Sequence, residues 1–291
     1  MELPRVAVVA VLMVSHNRRT TTLAALDALA AQRGLPAGTH VRVHLVDAGS
    51  TDGTAPAVRR AHPGVQVTAV GPDVYWGQGT RLASRNSRAA GIPEPTHQLW
   101  LDDGVRLAPD ALARLLDVSA DFDEQAVVVG AVRRDGVTAR SGRRRHGRTL
   151  ALVEPSEGPE PCDTYDGDVV LLPWAVRERV GDIDKVFRHG MGDYDHGFRA
   201  RRAGVAAYVA PRPVGDRHAG ERPAGRAPYG SREPGIGVRE ALRRRASQPE
   251  LPVWQWWVYC WRHTGVRAPV LMVAPYVVTV ARALAAGRAT P

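Results

Sequence analysis

Short apolar runs alternate with segments of helical periodicity along the N-terminal part of the chain. VAVVAVLMV at residues 6–14 predicts a buried strand, and TTTLAALDALAAQ at 20–32 predicts a helix with a leucine at every third position. Further strands are predicted at 40–49, 65–70 and 98–101, and further helices at 55–62 and 109–118. Repeated β-α-β units of this kind favour a mostly parallel sheet, whose ligands bind at the carboxyl ends of the strands.

The middle of the chain has a different pattern, in which basic and β-prone residues alternate with glycine-containing turns. VRRDGVTARSGRRRHGRTL at 132–150 predicts one or two antiparallel hairpins. DVVLLP at 168–173 predicts a returning strand, and DYDHGFRARRAG at 193–204 predicts a helix that ends at Gly204. We therefore expect a second half that covers the ligand-binding edge of the sheet.

One apolar segment near the C-terminus, APVLMVAPYVVTVA at 268–281, is interrupted by Pro275. It is shorter than the roughly 20 residues that a membrane-spanning helix requires. Two interpretations remain open: a packed terminal helix, or a helix on a membrane surface. The aromatic stretch WQWWVYCW at 254–261 suits the second, because tryptophan and tyrosine favour the membrane interface.

Composition adds little to this picture. The formal net charge is +9, but Lys185 is the only lysine, so the basic residues are almost all arginines. Arginine-rich composition of this kind is weak evidence for a nucleic-acid partner, and we expect none; anionic ligands and anionic membrane surfaces are better candidates. The two cysteines, Cys162 and Cys260, fit a reducing cytoplasm better than a disulfide framework, and the first apolar run lacks the flanks of a signal peptide.

Six segments occur in an order that resembles the family 2 glycosyltransferases, over residues 6–220. They are SHNR, LVDAGSTDGT, GQGTRLASRNSRAAG, LWLDDGVRLAPDAL, GDVVLLP and MGDYDHGFRARRAG. The resemblance implies a GT-A-type α/β fold, with a mostly parallel twisted sheet flanked by helices. It implies a nucleotide-sugar-binding half at 1–120 and an acceptor-side half at 121–225. A C-terminal helical extension at 226–291 would follow.

The resemblance also implies a donor site. The family's aspartate at the position of Asp47 accepts hydrogen bonds from the nucleotide base, which suits a fixed carboxylate that faces a uracil- or thymine-type N–H. The further donor-site candidates are Ser15, Asn17, Trp76, Gly77, Arg81, Asn86, Asp102 and Asp103.

A divalent metal ion is expected because the family's DxD strand end coordinates Mg²⁺ or Mn²⁺, which neutralises the leaving nucleoside diphosphate. In this chain Gly104 occupies the position at which that pattern has its final acid. The resemblance leaves two alternatives: Asp103 and His218 hold the metal ion between them, or arginines supply its positive charge instead.

The general base implied by the resemblance is Asp193, the residue that would take the proton of the acceptor hydroxyl in an inverting transfer. Asp166, Asp168 and Asp195 are candidates for the sugar or acceptor pocket. Asp166 and Asp168 fit turns equally well, and Asp195 has Arg199 four residues further on, the spacing of a helical ion pair.

The resulting hypothesis is an inverting glycosyltransferase that moves a sugar from a UDP- or dTDP-sugar to a hydroxyl acceptor. A non-catalytic sugar-nucleotide-binding or membrane-associated module on the same fold is the alternative, motivated by Gly104. We expect a cytoplasmic protein with peripheral contact at the inner membrane face through the C-terminal segment, and homo-oligomerisation stays open. A nucleotidyltransferase or a dinucleotide-dependent oxidoreductase is disfavoured, because no glycine-rich phosphate loop follows the first strand.

Overall fold

The computed structural model describes residues 6–89, 94–147, 149–217, 237–246 and 252–287. The chain divides into two compact units, of which the first contains residues 1–188 and 192–220 and the second contains 189–191 and 221–291.

Strands and helices alternate through the first unit as the periodicity predicts. Its described helices are α1 (Arg19–Ala30), α2 (Thr54–Ala61), α3 (Trp76–Ala89), α4 (Ala111–Asp121), α5 (Trp174–Val180) and α6 (Gly192–Arg202). Its described strands are β1 (Val8–Ser15), β2 (His40–Ala48), β3 (Gln66–Val70), β4 (His97–Leu101), β5 (Val105–Leu107), β6 (Val127–Val129), β7 (Val132–Arg134), β8 (Val137–Arg140), β9 (Gly142–His146), β10 (Thr149–Leu152), β11 (Glu160–Cys162), β12 (Thr164–Tyr165), β13 (Val169–Pro173), β14 (Ala207–Val209) and β15 (Gly215–Arg217).

The main sheet has eight strands in the order β11-β14-β6-β13-β4-β1-β2-β3. Strands β3, β2, β1 and β4 run parallel, and β6 is parallel to β14. Strand β13 is antiparallel to both of its neighbours, and β11 is antiparallel to β14. Parallel pairing therefore predominates, as expected, and the antiparallel β13 joins the two halves of the chain into one sheet.

Strand β1 lies between two neighbouring strands, β2 and β4. The main hydrophobic cluster packs on one face of the sheet. Val9, Val11 and Met13 point to that face and are fully buried, and they pack with apolar side chains of α1 and α4. On the opposite face α3 lies so close to β1 that a Cβ atom at Gly79 would be 2.7 Å from Val14 Cγ2.

Pairing registers bring the functional segments to one edge of the sheet. Strand β4 ends at Leu101, which lies opposite Val169 at the beginning of the antiparallel β13. A second sheet, ordered β5-β15-β7-β8, places Arg217 opposite Val105. The residues just after β4, just before β13 and at the end of β15 therefore meet. The predicted hairpins are present as β7–β8 and β9–β10.

The second unit is helical in its described part. Helices α7 (Val238–Ala246) and α8 (Val253–His263) are followed by a 3₁₀ turn (Gly265–Arg267) and α9 (Ala268–Gly287). The apolar helix is thus longer than the predicted segment. The stretch Gly265–Ala285 meets the length and composition of a membrane-crossing helix, and 6% of its most apolar window is buried. The prediction that this segment is too short to span a bilayer is therefore wrong.

Candidate functional site

An acidic cluster with an arginine between its members forms the centre of the sheet edge. Asp102 follows β4 and Asp168 precedes β13, and the main-chain N–H of Asp102 donates to the carbonyl of Asp168 at 2.8 Å. The Arg217 guanidinium donates to both carboxylates, with Nη2 at 3.2 Å from Asp102 and Nη1 on Asp168. The two acids raise the pKa of Arg217, although its burial acts to lower that pKa.

Asp103 points away from this cluster into the interior. Its side chain is 3% exposed and accepts hydrogen bonds from Arg18 Nη1 at 2.8 Å and from Thr22 Oγ1 at 3.3 Å. Ser15, which bonds to Thr22 at 2.8 Å, also contacts the Asp103 carboxyl. Burial, and then the adjacent Asp102, raise the pKa of Asp103. This network engages Ser15 and Asp103 in contacts within the protein, and their expected donor and metal contacts stay predictions.

Asp193 lies in the first turn of α6, beside the acidic cluster. Its Oδ2 accepts the main-chain N–H of Gly167 at 3.0 Å, and its Oδ1 accepts that of Tyr194 at 2.9 Å. Trp76 is close by: a Cβ atom at Gly167 would lie 2.5 Å from the Trp76 ring and 3.2 Å from Asp193 Cβ. Burial, and then the Asp166 charge, raise the pKa of Asp193 to about 6.

The other two acids of this region are anchors. Asp166 accepts hydrogen bonds from Arg143 at 2.9 Å and from the Tyr194 hydroxyl at 2.9 Å, and it is almost fully buried. Asp195 bonds to Arg199 at 2.9 Å, which is the helical ion pair that the spacing predicted. The Tyr194–Asp166 bond ties α6, and with it Asp193, to the segment before β13, whereas the Asp195–Arg199 pair lies within α6. The expected place of both acids in the sugar or acceptor pocket stays a prediction.

On the nucleotide side, Asp47 at the end of β2 is 4% exposed. Its buried Oδ1 has no hydrogen-bond partner among the described residues, so the carboxylate retains an unused acceptor. Asn17 adopts a left-handed conformation (φ 51°), and its side-chain oxygen accepts the N–H of Thr51 at 2.7 Å. Asn17 therefore connects the loops after β1 and β2.

Helix α3 carries the remaining donor-site candidates. Gly77 and Asn86 contact other parts of the protein, whereas one guanidinium nitrogen of Arg81 has no hydrogen-bond partner among the described residues. Gly77 allows close backbone approach, but to protein: a Cβ atom there would be 2.5 Å from the carbonyl oxygen of Phe187. The Asn86 amide donates to Thr68 of β3 at 2.9 Å, which indicates a structural role. Nη1 of Arg81 is buried without a hydrogen-bond partner in the described chain, and burial lowers the pKa of its guanidinium.

The described residues at the strand ends do not fit a divalent metal ion. Among the described residues no group of three or more His, Cys, Asp or Glu side chains is arranged to hold one. His218, one of the two expected ligands, lies outside the described residues. The other, Asp103, is bonded to Arg18, and Asp102 and Asp168 both bond to Arg217.

A comparison with protein-family models decides the family. The model of glycosyl transferase family 2 matches residues 10–167, which is more than half of the chain. The chain belongs to this family. The matched region contains Asp47, the acids after β4 and Asp166, whereas Asp193 and Arg217 lie beyond it.

Two curated proteins are similar to the chain in sequence. The chain is 27% identical over 203 residues to the N-acetylglucosaminyl-diphospho-decaprenol L-rhamnosyltransferase of Mycobacterium tuberculosis, in each of two strains. This similarity covers 59% of the chain and 64% of the relatives' length.

Solved glycosyltransferase structures confirm the GT-A fold. The mannosyltransferase PcManGT from Pyrobaculum calidifontis, in complex with GDP-Man and Mn²⁺, has a TM-score of 0.54 at 18% identity, covering 97% of this chain and 75% of its own. S. aureus TarS 1–349 in complex with UDP has a TM-score of 0.51 at 16% identity, covering 72% of this chain and 59% of its own. At such identities the likeness concerns the fold alone.

Sequence reasoning left open that arginines supply the positive charge at this site, but it did not identify the two arginines that bind the acids. Arg18 is part of the SHNR segment, and Arg217 directly precedes His218. The signal that points to them is Gly104: where an acid is missing from a cluster of carboxylates, a basic partner elsewhere in the chain is a natural replacement for a metal ion.

Proposed function

We propose that this family 2 protein is an inverting glycosyltransferase in which Asp193 is the general base. One observation carries the proposal. Asp102, Asp103, Asp166, Asp168 and Asp195 each have an arginine within 4.0 Å, whereas Asp193 has no such ion pair among the described residues. Its carboxylate is therefore not committed to a charged partner, and its raised pKa keeps it basic enough to accept a proton near neutral pH.

The chemistry needs one base and no covalent nucleophile. The acceptor hydroxyl oxygen attacks the anomeric carbon and gives its proton to Asp193, while the bond from that carbon to the diphosphate breaks with its electron pair on the leaving group. The Gly167 and Tyr194 N–H groups orient the base. A positioned base of this kind contributes about 10²–10⁴-fold to the rate.

The donor in this proposal is a UDP- or dTDP-sugar. The support is the unused acceptor on Asp47 at the end of β2, which suits the imide N–H of uracil or thymine. Two structural relatives were solved in complex with UDP and with GDP-Man, which supports a nucleoside diphosphate sugar as the class of donor. The M. tuberculosis relative is named a rhamnosyltransferase, which favours a deoxyhexose among the sugars to test.

Asp193→Asn tests the base directly. UDP and dTDP affinity, measured by calorimetry, is expected to stay within about twofold, while donor turnover falls by about 10²–10⁴-fold. Turnover is followed as nucleoside diphosphate release from UDP-glucose, dTDP-rhamnose and GDP-mannose, with water or simple sugars as acceptors.

Asp216→Asn is the matched control, because Asp216 is exposed and lies one residue from Arg217. Near-wild-type turnover in Asp193→Asn would contradict the base assignment. Donor binding without any turnover by the wild-type chain would favour the non-catalytic alternative, which Gly104 motivates.

We also propose that the second unit binds an anionic membrane surface. Three tryptophans of α8, Trp254, Trp257 and Trp261, are 65%, 43% and 73% exposed and share one helical face. Helix α9 exposes Val270, Val273, Val277, Val278 and Leu284. Exposed tryptophans beside an apolar helix with flanking arginines are typical of protein segments that bind the lipid headgroup region.

A further inference from the structure

We propose that Arg18 and Arg217 replace a divalent cation in this protein, so that the donor diphosphate binds and departs without a metal ion. The inference rests on the proposed function, because it concerns the leaving group of that reaction. It is carried by three contacts at the end of β4, all within the described residues.

The first is the position of Arg217. Its guanidinium bonds to Asp102 and Asp168, and its side chain is 14% exposed. These two acids flank the point where β4 ends and β13 begins. A cation bound to Asp102 would have to displace the guanidinium or lie against it, and like charges in a partly buried site repel strongly.

The second is the position of Arg18. Nη1 lies 2.8 Å from Asp103 Oδ1 and 3.8 Å from Asp102 Oδ1, so the guanidinium spans the pair of strand-end acids. Its side chain is 32% exposed, and its other N–H groups make no hydrogen bond to the part of the chain that the structure describes. Those donors are available to an anionic ligand.

The third is Gly104, which explains how Arg18 reaches this position. A Cβ atom at residue 104 would overlap the Arg18 guanidinium and lie 3.1 Å from Asp102 Oδ1. The backbone there is not in the left-handed region, so the glycine provides space rather than conformational freedom. An acid at residue 104 and Arg18 in its present place are mutually exclusive.

Together these contacts give the strand-end acids a role other than binding a metal ion. Asp102, Asp103 and Asp168 hold two guanidinium groups at the strand ends, where ligands of such sheets bind. When the bond to the anomeric carbon breaks, its electron pair adds charge to the diphosphate. Arginine N–H groups offset this charge by charge-assisted, often bidentate hydrogen bonds to phosphate oxygens.

The first test uses the wild-type chain and does not depend on any variant folding. UDP and dTDP affinities are measured by calorimetry in EDTA and in Mn²⁺, and are expected to differ by less than about twofold. Electron paramagnetic resonance is expected to show that the protein, with or without UDP, binds no Mn²⁺ beyond the amount that UDP binds by itself. An affinity at least about tenfold weaker in EDTA, or stoichiometric Mn²⁺ binding, overturns the inference.

The second test removes the arginines. Arg18→Gln and Arg217→Gln are each expected to weaken UDP binding by about tenfold or more and to leave uridine binding unchanged, because uridine lacks the diphosphate. Arg19→Gln, an exposed arginine beside Arg18, is the control and is expected to bind UDP normally. UDP binding by both variants at wild-type affinity overturns the inference.

The third test reverses the replacement. The triple variant Arg18→Ala/Gly104→Asp/Arg217→Ala, which removes both guanidinium groups, is expected to bind Mn²⁺, seen as a reduced free-ion resonance signal, and no gain over wild type counts against the inference. Failure of the inference is distinguishable from failure of the proposed function. Metal-dependent UDP binding refutes only the arginine replacement, whereas no binding of any nucleoside diphosphate refutes both.

Discussion

At the scale of single residues, the site shows how environment divides one side-chain type into several roles. Asp166 and Asp195 are buried against arginines, and Asp166 also binds the Tyr194 hydroxyl of α6. Asp102 and Asp168 hold Arg217. Asp193 lies among them, yet main-chain N–H groups are its hydrogen-bond partners in the described chain. Carboxylates whose hydrogen-bond partners differ in this way are suited to different chemical tasks.

The raised pKa of Asp193 predicts the acid limb of the pH–rate profile. A general base acts only when deprotonated, so kcat/KM is expected to fall about tenfold per pH unit as the pH drops below about 6. Donor turnover measured from about pH 5 to about pH 8 checks this limb. The pKa of Asp168 is also raised, by burial and then by Asp102. Asp168→Asn is therefore the control, and a limb that vanishes in this variant contradicts the assignment to Asp193.

At the scale of elements, α3 links the sheet to the loop before α6. Gly79 lets the helix approach Val14 of β1, and Gly77 lets its first turn approach the carbonyl of Phe187. The same first turn carries Trp76, whose ring lies against Gly167 beside the base. The glycines of this helix thus set the position of Trp76 by packing, and the expected place of Gly77 in the donor site stays a prediction.

Gly79→Ala tests this packing role. The added methyl group would lie 2.7–2.8 Å from the Val14 methyl groups, so β1 or α3 must move. Overpacking of this kind costs about 1–3 kcal/mol, which chemical denaturation of the full chain would measure. Arg85→Ala, at an exposed position of the same helix, is the control and is expected to change the free energy of unfolding by less than about 0.5 kcal/mol. Alanine favours a helix over glycine, so helix propensity alone would stabilise Gly79→Ala, and an unchanged or increased free energy of unfolding in this variant would contradict the packing role.

Elements proved more predictable from the sequence than the contacts between them. The periodicity of β1, α1 and β2 is local, so their order and approximate bounds follow from a short window of residues. Arg217 and Asp102 are 115 residues apart, and Arg18 and Asp103 are 85 apart. The first pair depends on the antiparallel register of β15 with β5, and the second on the parallel pairing of β1 with β4. No local pattern determines either pairing.

At the scale of the whole molecule, the two units differ in how much of their apolar side-chain surface is exposed. In the first unit the apolar residues of β1 and β4 are buried under helices. In the second, α9 is 20 residues long with valines exposed along its length, a larger apolar surface than a soluble helix normally leaves uncovered.

Vesicle flotation with the full chain tests membrane binding. The chain is expected to float with phosphatidylglycerol-containing vesicles and to bind neutral phosphatidylcholine vesicles more weakly, because arginines such as Arg262, Arg267 and Arg282 flank the apolar surface.

Replacing Trp254, Trp257 and Trp261 by serine removes the aromatic face of α8 and is expected to lower the floated fraction severalfold. Val137→Ser, which removes an exposed apolar side chain from the first unit, is the control and is expected to float as the wild type does. Equal recovery of the tryptophan variant and the control would contradict the role of α8, and a wild-type chain that stays with the unbound protein would refute membrane binding altogether.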